Sequence, residues 1–334
     1  MDLMTNPNIS PSAAEIVFDH ATKRYPGRPH AAVSELSLTI PAGEICVLVG
    51  PSGGGKTTAM KMVNRLISIS DGDITIDGTS VRSLNLTELR RGIGYVIQQV
   101  GLFPHMSIGA NIATVPKLLR WKKSRIHDRV VELLELVGLE ADDAGRYPTQ
   151  LSGGQRQRVG LARALAADPP LMLMDEPFGA IDPITRSRLQ DEFLRLHREV
   201  GKTVIFVTHD IDEAIKMGSR IAILAEGGVL AQYDTPEEIL AHPASEFVER
   251  FVGADRGLKR LALRRAGDAE LDAVPVGAPF AGPRCSTTTT LRDALSLMLT
   301  DGAREALVLD EFELPLGVLT LDRVSGLLRA EVAA

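Results

Sequence analysis

Along residues 14–251, short runs of consecutive apolar residues alternate with stretches in which apolar positions recur every three or four residues. The first pattern suits strands buried on both faces and the second suits amphipathic helices, so the order predicts an α/β layer fold around a mostly parallel sheet. Glu44–Val49, Pro170–Met174 and Thr203–Thr208 are the clearest strands. Asp77-Gly78 and Gly227-Gly228 each separate two short β-prone runs and predict hairpin turns. Asp182 precedes Pro183 and can cap a helix that closes at Gly201, with Leu189, Phe193, Leu196 and Val200 on its buried stripe. A second helix is expected from Ser124 to Val137, carrying Ile126, Val130, Leu133 and Val137 on one side and stopping at Gly138.

Beyond Phe251 the pattern changes. Asp255–Arg265 is rich in Arg and Lys, and Gly267–Gly282 is rich in Ala, Pro and Gly, which reads as a linker. Order returns with an expected helix at Leu291–Leu299, strands at Ala306–Asp310 and Gly317–Thr320, and a short closing helix. The expected division is a flexible lead over 1–13, a large domain over 14–253, a linker over 254–281 and a small α+β module over 282–330. A chain of 334 residues with 44% hydrophobic content has room for such a core and appendage.

The net charge of −6 gives no overall attraction for phosphate backbones, so no nucleic-acid partner is expected. Cys46 and Cys285 have no metal-ligand spacing and suit a reducing compartment. Met1–Glu15 lacks the basic and apolar regions of a secretory signal, and no apolar run reaches the roughly 18 to 20 residues that span a bilayer. Any membrane role is therefore expected to come through a partner.

The chemistry begins at Gly50, Pro51, Ser52, Gly53, Gly54, Gly55, Lys56 and Thr57, which fit G-x-x-x-x-G-K-[ST] between an apolar strand and a helix-prone run that continues with Thr58. Glycines let backbone N–H groups curl around a phosphate, and the following helix turns its positive end toward it. Lys56 adds a point charge for the β and γ oxygens, and Thr57 a hydroxyl for Mg2+. Asp175 and Glu176 end a buried strand, where neighbouring side chains point in different directions. Asp175 is expected in the metal shell and Glu176 as the general base toward the attacking water.

Leu151, Ser152, Gly153, Gly154 and Gln155 precede that acidic strand by one short helical stretch. In order with the phosphate loop and the acidic pair, they resemble the signature motif of the ABC ATPases. The resemblance implies a P-loop α/β fold with an antiparallel β subdomain and an inserted helical subdomain, and ATP and Mg2+ as ligands. It also implies a homodimer, in which Ser152, Gly153, Gly154 and Gln155 of one chain close over the ATP held by Lys56 of the other. Gln98, favoured over adjacent Gln99, then corresponds to the glutamine at the metal and attacking water. His209 corresponds to the residue that touches the γ-phosphate, Asp182 lies in the D-loop near the dimer seam, and Tyr25 stacks on adenine.

Only a compact helical region separates Gln98 from Leu151, with no long coiled coil and no second ATPase domain, which favours transport over chromosome or translation roles. Gly94–Met106, Asn111–Pro116 and Phe178–Arg186 look like the ATPase subunits of glycine betaine, carnitine, choline and proline betaine importers. That likeness implies integral-membrane permease partners, a periplasmic or extracellular substrate-binding protein and a place on the cytoplasmic face of the cell membrane. An importer ATPase for an amino acid or polyamine, or a non-transport ABC ATPase, is the alternative. Phe103, Met106, Leu119 and Trp121 are candidate permease contacts. Leu291–Met298, Ala306–Asp310 and Leu316–Asp322 resemble a single CBS motif. Arg256, Lys259, Arg260, Arg264 and Arg265 are expected to offer anionic lipid a contact that salt can screen.

Overall fold

A computed structural model of the chain describes residues 13–97, 101–179, 181–274 and 280–330. They form two compact units that divide between Tyr233 and Asp234.

In the first unit, β1 (Ile16–Lys23), β2 (Val33–Ile40), β4 (Asp71–Ile76) and β5 (Thr79–Ser80) make an antiparallel sheet in the order β2-β1-β4-β5. The β4–β5 turn falls at Asp77 and Gly78, whose φ values of 47° and 72° are both left-handed, as a two-residue hairpin requires. A second sheet contains β3 (Ile45–Val49), β6 (Ile93–Val96), β7 (Leu171–Asp175), β8 (Thr203–Val207), β9 (Arg220–Ala225) and β10 (Val229–Asp234), in the order β10-β9-β3-β8-β7-β6. Its β3–β8, β3–β9, β6–β7 and β7–β8 pairs are parallel. Every residue of β3 and β8 is buried, which explains their unbroken apolar runs. One core serves both sheets, with Phe18, Leu36 and Ile74 clustered with Leu48, Met60 and Ile205.

Helix α1 (Lys56–Val63) follows β3, and α2 (Leu86–Arg91) leads into β6. Between β6 and β7 stands the helical insert: α3 (Ile108–Ile112), α4 (Thr114–Leu118), α5 (Lys123–Leu136) and α6 (Gly153–Leu165). Helix α5 buries Val130, Leu133 and Leu134, and the chain turns away at Gly138 with φ 69°. Helix α7 (Pro183–Val200) joins β7 to β8, and α8 (Ile211–Met217) joins β8 to β9. Register sets Val207 opposite both Leu48 and Asp175, so the parallel strands finish along one edge. Ligands of open α/β sheets bind at that edge.

The second unit holds α9 (Pro236–Ala241), α10 (Glu246–Val252), α11 (Arg256–Leu263), β11 (Arg284–Ser286), α12 (Leu291–Thr300), β12 (Glu305–Leu309), β13 (Pro315–Thr320) and α13 (Leu321–Ala330). Strands β11 and β12 pair parallel and β12 and β13 antiparallel. Leu261, Ala266, Cys285, Leu291, Met298, Ala306 and Leu319 share its core.

This division departs from the expected one. Helices α9 and α10, assigned by sequence to the large domain, belong with the tail, and the expected linker contributes Leu261 and Ala266 to a core. Its basic residues conceal an amphipathic helix. Lys259 is buried, donating 2.7 Å to the Val252 carbonyl at the end of α10, with Asp255 at 3.1 Å. A cation there answers a carbonyl that the helix itself cannot satisfy. Arg256 pairs with Glu249 at 3.4 Å, and of the five basic residues only Arg265 is exposed. Lys259 is thereby withdrawn from any lipid contact, while Arg256, Arg260 and Arg264 keep part of their surface and Arg265 is exposed. The expected flexible lead, apart from Ala13, lies outside the described residues.

Candidate active site

The loop from β3 to α1 is shaped by what a side chain would strike. At Gly50, φ is 152° and a Cβ would collide with the Leu224 carbonyl of β9; at Gly55, φ is 75° and a Cβ would collide with the Ala32 carbonyl. Only glycine lets the backbone pass at these two points. Pro51, Ser52, Gly53 and Gly54 make the turn between them, closed by the Gly54 N–H donating to the Pro51 carbonyl at 3.1 Å. The bare loop leads into the first turn of α1, where Lys56, Thr57 and Thr58 begin the helix. This is a cradle of main-chain donors on a helix start, the geometry that holds phosphates.

Lys56 is 8% exposed, and its ammonium donates to the carbonyls of Gly50 at 2.7 Å and Pro51 at 2.8 Å. Burial lowers its pKa, while the charges of Glu176 and Asp175 oppose that shift. The Thr57 hydroxyl donates to Asp175 Oδ1 at 2.9 Å, bringing two hard oxygen donors together beside the loop. Lys61, one turn further along α1, stands 3.5 Å from Asp175 Oδ2.

Glu176 has φ 45°, a left-handed conformation that costs a non-glycine residue about 1 kcal/mol or more. Its N–H donates to the Val207 carbonyl at 2.9 Å, and its carbonyl accepts from Gly179 at 3.2 Å. The two acidic neighbours thereby take different partners: Asp175 faces Thr57, and Glu176 Oε1 lies 3.4 Å from Nδ1 of His209, just past β8. Lys56, Thr57, Asp175, Glu176 and His209 thus converge on one sheet edge.

Ser152 and Gln155 form a reciprocal cap on α6. The Gln155 N–H donates to Ser152 Oγ at 3.2 Å, and the Ser152 N–H donates to Gln155 Oε1 at 3.0 Å. Gly153 and Gly154 open that helix without side chains. Among the described residues, no hydrogen bond or ion pair joins this group to the phosphate loop of the same chain. Asp182 caps α7, accepting from the Thr185 N–H at 3.1 Å, a bond that holds its carboxyl below the usual carboxylate range. Tyr25 is half-buried after β1, with the Lys23 ammonium 5.1 Å from its ring centre. Its loop returns past Ala32, the residue whose carbonyl abuts Gly55.

Gln98, with Gln99, lies outside the described residues. Of the expected permease contacts, Phe103 is 42% exposed, while Met106, Leu119 and Trp121 are half-buried. Buried Asn111 pins this segment by bonding the backbone of Phe103 in both directions, at 2.7 and 3.1 Å, and the Met106 carbonyl at 3.1 Å. The guanidinium of Arg125 lies 3.7 Å from the Trp121 ring centre. Sequence reasoning did not find Lys61, nor the polar group of Arg186, Gln190 and Glu213 beneath His209. The one sequence signal for the latter is an acid, Glu213, between the apolar residues of a short helix.

Residues 33–179 match the profile of the ABC transporter family. The osmoprotectant import ATP-binding protein OsmV of Salmonella typhimurium is 48% identical over 306 residues, covering 90% of this chain and 78% of that protein. The glycine betaine uptake system ATP-binding protein YehX of Escherichia coli is 46% identical over 305 residues, covering 91% and 97% respectively. Among solved structures, the ATP-binding cassette MJ0796, dimeric in a post-hydrolysis state with ADP and Pi, is 34% identical with a TM-score of 0.58. That match covers 66% of this chain and 98% of the cassette. With a phosphate cradle, a hydroxyl–carboxylate pair and an acid–histidine pair on one sheet edge, and with these relatives, the chain belongs to the ATP-binding subunits of ABC transporters, in the branch of the osmoprotectant import proteins.

Proposed function

We propose that the chain powers an importer of glycine betaine, choline or carnitine by binding and hydrolysing ATP. The observation that carries this reading is near-half identity, over nine tenths of the chain, to an osmoprotectant import subunit. Two copies pair head to tail and dock on integral-membrane permease subunits at the cytoplasmic face of the membrane. A periplasmic or extracellular binding protein delivers the solute. Among the described residues no helix is long and apolar enough to cross a membrane, so docking uses surface such as Phe103. The tail supplies a single CBS-like module.

In this reading the loop amides and the α1 start bind the β and γ phosphates, and Lys56 exchanges its loop carbonyls for phosphate oxygens. Thr57 and Asp175, with Gln98, would hold Mg2+, which would neutralise phosphate charge when bound. Glu176 accepts a proton from the attacking water, and His209 steadies the γ-phosphate from the other side of the Glu176 carboxylate. Ser152, Gly153, Gly154 and Gln155 of the partner copy close the site, Asp182 sits at the seam, and Tyr25 stacks on adenine. Closure on ATP and opening after hydrolysis switch the permease between its access states.

The test is substrate competition in cells whose uptake depends on this chain. Unlabelled choline, carnitine and glycine betaine should each suppress uptake of labelled glycine betaine, whereas amino acids and polyamines should not. Transport of an amino acid or polyamine in place of betaines, or purification of the chain without a permease, would replace this reading.

A further inference from the structure

Behind the Glu176–His209 pair lies a buried polar group that the proposed chemistry does not use. Glu213, in the first turn of α8, is 8% exposed, and Gln190 of α7 is 5% exposed. Gln190 Nε2 donates to Glu213 Oε1 at 2.9 Å, and Thr208 lines the same small cavity as this carboxylate. Thr208 Oγ1 in turn accepts from the Asp210 N–H at 3.1 Å, and Asp210 Oδ1 caps α8 by accepting from Asp212 at 2.8 Å and Glu213 at 3.2 Å. The residues on both sides of His209 are thereby tied to the start of α8, the helix that carries Glu213.

Arg186 is the facing cation. It donates through Nη2 to the Ile181 carbonyl at 2.9 Å, beside the Asp182 cap, while its Nε is buried with no hydrogen-bond partner among the described residues. Its charge favours the ionised form of Glu213, against burial, which pushes that carboxyl up, and against Asp210, which acts in the same sense as burial. A cavity of about 30 Å³ lies between this group and the reacting pair, lined by Glu176, His209, Arg186 and Glu213 among others. Breaking one member of such a buried charged network costs far more than an exposed pair would, because the remaining charge stays desolvated.

We infer that Glu213 is a positioning residue which, through its bond to Gln190 and the Asp210 cap at the start of α8, holds the His209 turn opposite Glu176 and couples it to the helix that begins at Asp182. Two elements that meet ATP from different directions, the His209 turn and the D-loop helix, then move as one body. The inference rests on the ATPase reading of the site.

Its test is steady-state ATP hydrolysis by the full chain bearing Glu213→Gln, Gln190→Glu or both. Glu213→Gln leaves Arg186 facing an amide, and Gln190→Glu sets two carboxylates together. The double variant restores one amide and one carboxylate, with the acid four residues from Arg186 on α7, where an ion pair can form. Each single change should lower kcat about tenfold or more while KM for ATP stays within about twofold, and the double variant should recover most of the loss. Thr208→Val should lower kcat in the same way, and Thr208→Ser, which keeps the hydroxyl, should not. Unchanged kcat in the single variants, a rise in KM alone, or an additive loss in the double variant would overturn the inference. Glu176→Gln measured alongside separates the two readings: normal turnover there removes Glu176 as the base, whereas a dead Glu176→Gln with normal Glu213→Gln removes only the coupling.

Discussion

Replacing Glu176 with Gln lowers ATP turnover of the chain by about 10²- to 10⁴-fold, the size expected when a general base is removed, while ATP still binds. The substitution is close to isosteric. The side chain keeps its length, and the backbone bonds to Val207 and from Gly179 do not involve it. What is lost is the carboxylate's ability to take a proton from water. Phosphate release and equilibrium nucleotide binding, measured on the same preparation, check both halves. A variant that binds ATP and still turns over normally leaves the base elsewhere.

The second large effect comes from mixing two inactive chains. Lys56→Ala removes the phosphate-loop cation, and Gly154→Asp places a carboxylate at the bare start of α6, where the γ-phosphate of the partner's ATP would sit. The Gly154 position has space for a side chain, its nearest neighbours being Thr185 Cγ2 at 3.4 Å and Leu189 Cδ1 at 3.8 Å, so the change acts on ligand and not on packing. Alone, each variant is inactive. Mixed in equal amounts, they form heterodimers with one intact composite site, and activity returns to about a quarter of native if two-fold pairing is random. If each chain worked with its own signature, the mixture would stay inactive, because every chain would carry one lesion. Titrating one variant into the other and following phosphate release distinguishes the cases.

Much of this site is legible in the sequence because its chemistry is local. Gly50–Thr57 is a continuous segment whose glycines answer backbone contacts, and Asp175-Glu176 follows a strand recognisable by burial on both faces. Strand and helix limits shift by a residue, as at Leu171–Asp175 against the expected Pro170–Met174, because pairing runs from Leu171 to Asp175 although Asp175 is charged and Pro170 apolar. What sequence reading missed depends on contacts between distant segments. Glu213 and Gln190 are 23 positions apart and ordinary by type; burial together makes them a unit. Lys259 reads as solvent-facing charge until its bond to the end of α10 places it inside. The same misreading made the linker, since the basic residues mask an apolar set, Leu258, Leu261 and Ala266, of which the last two join a core.

If hydrolysis at this site drives osmoprotectant uptake, the Glu176 carboxylate is indispensable to that uptake. The most direct measurement is accumulation of labelled glycine betaine after an osmotic upshift, in cells with no other betaine importer. The cells carry the native chain or Glu176→Gln at equal abundance, each with the same permease and binding protein. Rapid accumulation is expected with the native chain and background uptake with the variant. Equal accumulation in both would contradict that requirement.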